Sequence, residues 1–275
     1  MIAIPFPSIL LTALPIGLFI LLFRSALADP ALREASLAGG VAGALAILPI
    51  KFALYPAFQM ALGIDLRSLL ADSEDFWMRF CVAVILVGGL EETMKLGAAL
   101  AGVGWMGSLR RSTAIFMAAL AAGIGFAAIE SIDYISMFGA DVLLTRIPVS
   151  TTGHVLFSGI AGWAAAVALC GQPDTGEGAA TWRGYGLFLA GLLVSAVLHG
   201  GFNMIAMQTV ASTSIPMLTA MLLPGIALLR EGWTRILILD RAQRRCDDPC
   251  VFCGALPADS FGRFCAGCGA RRPIS

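Results

Sequence analysis

The sequence predicts an all-α protein: a polytopic bundle of about seven transmembrane helices, followed by a small C-terminal zinc ribbon. Of its 275 residues, 58% are hydrophobic and 13% are charged, whereas soluble domains are usually about 45–50% apolar and about 25% charged. Five of the seven cysteines lie between Cys246 and Cys268, a clustering typical of metal binding rather than of a disulfide framework. We therefore expect a transmembrane domain over residues 1–240 and a zinc-ribbon domain over residues 246–275.

Seven stretches are long and apolar enough to cross a bilayer, which takes about 20 residues of helix. They are residues 5–23, 37–58, 77–103, 113–138, 148–170, 184–207 and 212–229. The second contains Lys51, which we interpret as a snorkelling or paired residue, and the seventh is short and contains Pro224. Cys81 and Cys170, in the third and fifth stretches, are expected to be packed apolar residues.

The distribution of arginine predicts the orientation, because positive charge concentrates on the cytoplasmic side of a membrane. With the N-terminus outside, the inside segments carry Arg24, Arg33, Arg110, Arg111, Arg183 and the arginines after residue 229. We therefore expect a multi-pass protein of the cell membrane with its ribbon in the cytoplasm. Ala26-Leu27-Ala28 resembles a signal cleavage site, but no basic residue precedes the apolar run, which favours a retained anchor.

Polar side chains inside four of the predicted spans are the main functional signal. They are Glu91, Glu92 and Lys95 in the third span, Glu130 and Asp133 in the fourth, His154 in the fifth, and His199 and Asn203 in the sixth. A charge at mid-bilayer costs about 2.5–3.5 kcal/mol on insertion scales, so these groups should face one another. Asp133 lies nearer the rim and is interpreted as solvated or structural.

The depth of these groups can be estimated from the helical rise of about 1.5 Å per residue. Counted from the outer surface, Glu91 and Glu92 lie roughly 16–20 Å deep, and Glu130, His154 and His199 roughly 9–12 Å. Boundary errors of about 2–4 residues allow all of them to meet at one level. We expect one polar chamber in the outer half of the membrane.

Paired carboxylates beside imidazoles predict acid–base chemistry on a water molecule. Two carboxylates in a low-dielectric pocket cannot both ionise cheaply, and a protonated–ionised pair beside neutral imidazole suits general acid–base catalysis. His199 and Asn203 share a helix face and could polarise a scissile carbonyl and stabilise its oxyanion. Alternatively, the glutamates and histidines bind a metal that activates the water. The sequence leaves both mechanisms open.

These residues resemble the motifs of the PrsW family, which belongs with the wider group of membrane proteases that includes the CAAX prenyl proteases. The matching segments are E-E-x-x-K at Glu91, Glu92 and Lys95, F-x-x-x-E at Phe126 and Glu130, Arg146 and Pro148 ahead of His154, and H-x-x-x-N at His199 and Asn203. Ser131 stands where many members have asparagine.

The resemblance implies hydrolysis of peptide bonds within or beside the membrane. It also implies membrane-anchored substrates, such as anti-sigma factors, cleaved on the outer side. The expected catalytic residues are Glu91, Glu92, Glu130, His154, His199 and Asn203, supported by Lys95 and Phe126.

The tail has the strongest metal signature in the chain. Its four predicted ligands, Cys250, Cys253, Cys265 and Cys268, form two C-x2-C pairs. Two such pairs can complete a tetrahedral thiolate shell around a structural Zn²⁺, and so short a segment would depend on the metal to fold. The segment Arg230–Arg245 is expected to be an interfacial helix leading to this ribbon. Nothing in the sequence identifies what the ribbon contacts.

Composition also limits the partners and the function. The 18 basic and 18 acidic residues balance, so no nucleic-acid partner is expected, only the lipid bilayer and a membrane-anchored substrate. A proton- or ion-coupled transporter would also use buried acids and histidines, but the chain lacks the paired halves that transporters usually have. A non-catalytic scaffold that recruits a partner through the ribbon is the other alternative. We predict an intramembrane protease.

Overall fold

The computed structural model describes residues 6–63, 65, 68–70, 73–109, 111–139, 146–170, 182–208 and 211–247. The α-helices are α1 (Phe6–Leu22), α2 (Arg24–Leu27), α3 (Pro30–Pro49), α4 (Tyr55–Leu62), α5 (Phe76–Cys81), α6 (Leu90–Trp105), α7 (Ser112–Phe138), α8 (Thr152–Cys170), α9 (Trp182–Gln208) and α10 (Ala211–Asp247). No strand occurs among these residues, which confirms the all-α prediction for the described part of the chain.

Three π-helical segments connect or begin these helices. Ile50–Leu54 joins α3 to α4, Val82–Gly89 joins α5 to α6, and Arg146–Thr151 leads into α8. A π-helix makes i→i+5 hydrogen bonds in place of i→i+4 bonds, so it changes the direction in which the following side chains point.

Four helical stretches are long and apolar enough to cross a membrane. They are Pro30–Ala61, Ser112–Met137, Val149–Cys170 and Trp182–Ala206, and they coincide with the second, fourth, fifth and sixth predicted spans. The helix over residues 76–105 has the necessary length but carries Glu91, Glu92 and Lys95 near its middle, and α1 offers only the shorter apolar stretch Ala13–Leu22. A membrane protein is therefore supported, with four candidate crossings in the described residues.

Helix α7 is the centre of the bundle. It packs against α3, α6, α8 and α10, and residues 112–124 are all buried, as expected for a helix that is apolar on every side. Gly39 of α3 lies so close to Ala118 that a β-carbon would sit 2.7 Å from its Cα. The small residues on this part of α7 therefore allow α3 to pack directly against its backbone.

The C-terminal part of α10 is anchored to the rest of the bundle. Trp233 stacks on Phe116 with ring centroids 5.8 Å apart, and Ile236 is fully buried. This segment is helical as predicted; Ile236 and Trp233 pack against the bundle, whereas Ile238 is exposed. A polar cluster reinforces the contact, since Thr113 Oγ1 donates to Asp240 Oδ1 over 2.8 Å and Arg111 pairs with the same carboxylate at 3.6 Å.

The cysteine predictions have separate outcomes. Cys170 is buried, whereas Cys81 is exposed; the prediction for Cys81 is wrong because that residue lies on the face of its helix that no other described helix covers. The four predicted zinc ligands of the tail lie outside the described residues, so the ribbon remains a prediction.

Candidate active site

Each π-helical segment ends one to three residues before a member of one buried polar cluster. Tyr55 follows the first segment, Glu91 and Glu92 follow the second, and His154 follows the third. Because π-helical turns are rare and occur frequently at functional sites, their placement here indicates that the backbone is shaped to direct these side chains.

Glu92 is the centre of the hydrogen-bond network. Its side chain is fully buried, and it accepts bonds from Lys95 Nζ over 2.5 Å, from His199 Nδ1 over 2.8 Å and from Ser158 Oγ over 3.1 Å. An ionised carboxylate only accepts hydrogen bonds, so His199 carries a proton on Nδ1. The Nε2 atom of the neutral ring then remains available as an acceptor or a metal ligand.

Lys95 connects Glu92 to the second histidine. Its Nζ lies 3.1 Å from His154 Nδ1, and His154 Nε2 lies 2.8 Å from Glu130 Oε2. Because an ammonium group can only donate, Nδ1 of His154 accepts and its Nε2 donates to Glu130. Glu130 is 17% exposed, so the network extends from the fully buried Glu92 towards the edge of the bundle.

The two oxygens of Glu91 have different surroundings. Its Oε1 accepts a hydrogen bond of 3.0 Å from the Tyr55 hydroxyl. Its Oε2 is buried without a hydrogen-bond partner in the described part of the chain, and lies 3.6 Å from His199 Nε2 and 3.9 Å from Lys95 Nζ. An unsatisfied buried acceptor costs about 1–3 kcal/mol, and more when charged, so this oxygen is suited to a ligand.

Aromatic rings enclose the cluster. The two imidazoles meet edge to face with centroids 5.0 Å apart, and Phe157 stacks on His199 at 5.2 Å. Phe126 lies beneath Lys95, whose Nζ is 4.4 Å from the ring centroid. These rings hold the polar groups in place and limit the space for water around them.

Comparison with known proteins identifies the chain's family. The model of the PrsW family of intramembrane metalloproteases matches residues 33–229, which is well over half of the 275 residues. The chain belongs to the PrsW family. No curated protein and no solved structure matches it. Membership confirms the prediction of a PrsW-type protease and favours it over the transporter and scaffold alternatives.

All but one of the residues that the sequence assigned to a PrsW-type centre lie in the cluster. They are Glu91, Glu92, Glu130, His154, His199, Lys95 and Phe126. Asn203 lies one turn beyond His199 on α9 and is half-buried; none of the cluster's hydrogen bonds in the described residues includes it. Lys51 was interpreted as a snorkelling or paired residue and Asp133 as a solvated or structural one; in the structure the two form an ion pair with each other.

Three residues of the cluster were missed in the sequence. Ser158 lies one helical turn after His154 and therefore on the same face, which is a signal that the sequence contained. Tyr55 lies in an apolar span, where a hydroxyl needs a partner. Phe157 could not be distinguished from other apolar residues of α8.

The donor set of this PrsW member fits a divalent metal ion. Glu91, His154 and His199 each offer one ligand atom, and these atoms lie within 4.8 Å of one another. Two ligands of a tetrahedral zinc, with bonds of about 2.0–2.2 Å, are about 3.3–3.6 Å apart, and the 3.6 Å between Glu91 Oε2 and His199 Nε2 falls in that range. The unpartnered oxygen of Glu91 is the observation that supports the fit.

Charge balance also favours a cation in this PrsW-type centre. Among the described residues, the carboxylates of Glu91 and Glu92 lie beside one ammonium group, that of Lys95. Two negative charges and one positive charge leave a formal charge of −1 when all are ionised. Such an excess is costly in an apolar interior, and a divalent cation or bound protons would neutralise it.

Gly123 of α7 sets the position of α8, the helix that carries His154, in this PrsW protein. A β-carbon there would lie 2.6 Å from His154 O and 3.1 Å from Ser158 Oγ, so Gly123→Ala must push α8 away. We expect this variant to lose about 1–3 kcal/mol of unfolding free energy through overpacking and to cut kcat about 10–100-fold through displacement of His154. Unfolding in detergent and initial cleavage rates measure the two effects.

Gly97→Ala is the matched control, because a β-carbon at Gly97 meets nothing within 4 Å. If Gly123→Ala and Gly97→Ala unfold and cleave alike, the close contact between Gly123 and the His154 backbone does not position the site.

Proposed function

We propose that the chain hydrolyses peptide bonds of membrane-anchored proteins at the cluster around Glu91. The observation that carries this proposal is the buried Oε2 of Glu91, which lacks a hydrogen-bond partner among the described residues and lies 3.6 Å from His199 Nε2. A carboxylate oxygen of this kind can accept a proton from an attacking water molecule. Both oxygens of the fully buried Glu92, by contrast, already accept hydrogen bonds. Glu91 is therefore the better base.

In the alternative, metal-dependent mechanism that the family description implies, Glu91, His154 and His199 would hold the ion. Oε2 of Glu91 would then be a ligand and not the base, and one nitrogen of His154 would exchange its present hydrogen bond for the ion. When bound, a divalent ion supplies Lewis acidity towards the carbonyl group and makes a water molecule more acidic. Glu92 accepts the Nδ1 proton of His199, an arrangement that orients a ligating histidine and raises its basicity. Tyr55 occupies the other oxygen of Glu91 in a similar way.

Without a bound metal, Glu91 can carry the proton that hydrolysis moves. As the water oxygen bonds to the carbonyl carbon, one of its protons goes to Glu91 Oε2. As the C–N bond breaks, Glu91 gives this proton to the leaving amine, while His154 keeps its Nε2 proton in the hydrogen bond to Glu130. Asn203, one turn from His199 on α9, would donate its amide to the developing oxyanion.

We infer seven crossings, with the N-terminus outside and the tail in the cytoplasm. Four crossings have helices of sufficient length and apolar character, and the arginine bias supports the orientation. This orientation would put the cluster in the outer half of the membrane, where anti-sigma-factor-like substrates would be cleaved. A structural Zn²⁺ on the four tail cysteines would form a separate ribbon domain after residue 246, and a relation to the CAAX prenyl protease group would follow from the shared motif order.

The test is cleavage of a library of single-span membrane proteins by the purified full chain in liposomes. We expect fragments with new ends inside or next to the apolar segment, and none from the same preparation of His199→Ala. Bound metal should fall by one equivalent per chain in His199→Ala. Absence of cleavage of every substrate, or equal cleavage by wild type and His199→Ala, would refute the proposal.

A further inference from the structure

We infer that Tyr55 is a positioning residue of the reaction: it holds one oxygen of Glu91 so that the other faces the reacting centre. This inference rests on the proposed function of the Glu91 cluster. Tyr55 lies in none of the four motif segments, and its partner Glu91 is 36 residues away in the sequence.

The backbone around Tyr55 fixes its direction. Tyr55 is the first residue of α4, immediately after the π-helical segment Ile50–Leu54. Within that segment Ile50 is fully buried and packs with Phe126, and Lys51 forms an ion pair with Asp133 of α7. The turn that aims Tyr55 is therefore held to α7 by one apolar contact and one polar contact.

The hydrogen bond from Tyr55 separates the roles of the two Glu91 oxygens. A carboxylate is acceptor-only, so the phenol is the donor in the 3.0 Å contact to Oε1. With Oε1 occupied, the carboxylate plane cannot rotate without losing this bond. The unpartnered Oε2 is thereby kept on the side of His199 Nε2, 3.6 Å away.

No other described group provides this constraint. Lys95 Nζ is 3.9 Å from Glu91 Oε2, beyond hydrogen-bond distance, and it is engaged with Glu92 at 2.5 Å and with His154 at 3.1 Å. Within the residues that the structure describes, the hydroxyl of Tyr55 is the one hydrogen-bond donor to Glu91. Removing it should leave the carboxylate in place but free to turn.

The test is Tyr55→Phe in the full chain, with Tyr185→Phe as the matched control. Tyr185 is 56% exposed and lies at the start of α9, so its variant removes the same hydroxyl outside the cluster. We would measure kcat and KM on a cleaved substrate. We would also measure the Zn²⁺ affinity of the cluster, taken from the bound equivalent that is present in wild type and missing in His199→Ala. Any Zn²⁺ held by the tail is common to all variants, since none of them changes the tail, so differences between variants report on the cluster.

We expect Tyr55→Phe to weaken Zn²⁺ affinity about 10–100-fold, as loss of a group that orients a metal ligand does, and to lower kcat by a similar factor with KM unchanged. Misfolding would instead reduce the number of equivalents bound, not their affinity. If Tyr55→Phe has the same Zn²⁺ affinity and kcat as Tyr185→Phe, and His199→Ala is inactive, the role of Tyr55 is overturned while the proposed function stands. A wild type with neither cleavage nor a His199-dependent equivalent would overturn both.

Discussion

Glu91→Gln is expected to abolish hydrolysis while the fold remains intact. Gln has nearly the same shape, and its amide oxygen can still accept the hydrogen bond from Tyr55 that Oε1 accepts now. The NH2 group that replaces Oε2 can neither take a proton from water nor bind a metal. Loss of a general base costs about 10²–10⁴-fold in rate, so kcat should fall by about three orders of magnitude, measured as initial rates in liposomes.

Two comparisons make the Glu91→Gln result specific. Glu34→Gln, the same change at an exposed position of α3, should keep wild-type rates. Glu92→Gln should also reduce activity, but with a lower unfolding free energy, because it weakens the bonds to Lys95 and His199. If Glu91→Gln retains more than a tenth of kcat while Glu92→Gln is stably folded and inactive, the base is Glu92 and our assignment is wrong.

Lys95→Met is expected to be the most destabilising single change among those considered. The Lys95 and Glu92 side chains are both fully buried and 2.5 Å apart, and methionine matches the length of lysine without its charge. Removing one partner of a buried ion pair costs about 3–5 kcal/mol, because the other charge is left without compensation. Reversible unfolding of the full chain in detergent measures this loss.

The double variant Glu92→Gln/Lys95→Met separates the cost of the unpaired charge from the loss of packing. With both charges removed, no uncompensated ion remains, and the double variant should be more stable than Lys95→Met alone. Lys51→Met is the control at the chain's other lysine, where the ion pair to Asp133 is partly exposed and the loss should be smaller. A double variant no more stable than Lys95→Met would mean that the two charges are not coupled.

The convergence of the polar residues could be predicted from the sequence, but the hydrogen-bond partners of each carboxylate could not. The spacing of Glu92 and Lys95 by three residues fixed their contact on one helix face, and the cost of lipid-facing charge required the other acids and histidines to join them. Which carboxylate oxygen of the described cluster is left without a hydrogen bond depends on Tyr55 and Ser158. Both belong to other helices, and no spacing rule connects them to Glu91 or Glu92.

Helical register is the physical reason for the other differences. A constant rise per residue put Glu91 and Glu92 deeper than His199, whereas Glu92 and His199 are hydrogen-bonded at 2.8 Å. The depth estimate from the rise per residue assumed straight α-helices with known ends. The segment Val82–Gly89 is π-helical, which changes both the rise and the rotation per residue just before Glu91. No residue pattern in this apolar stretch predicts a π-helix.

The ion pair between Lys51 and Asp133 has a consequence for the lipid around the protein. The two side chains are 26% and 37% exposed, although both belong to helices long and apolar enough to cross a membrane. Acyl chains do not solvate such a pair; bilayers respond with local thinning and hydrated defects. The leaflet beside this ion pair should therefore be thinner and more hydrated, so that a polypeptide arriving there from the bilayer would leave hydrocarbon before it reaches the carboxylates of the Glu91 cluster.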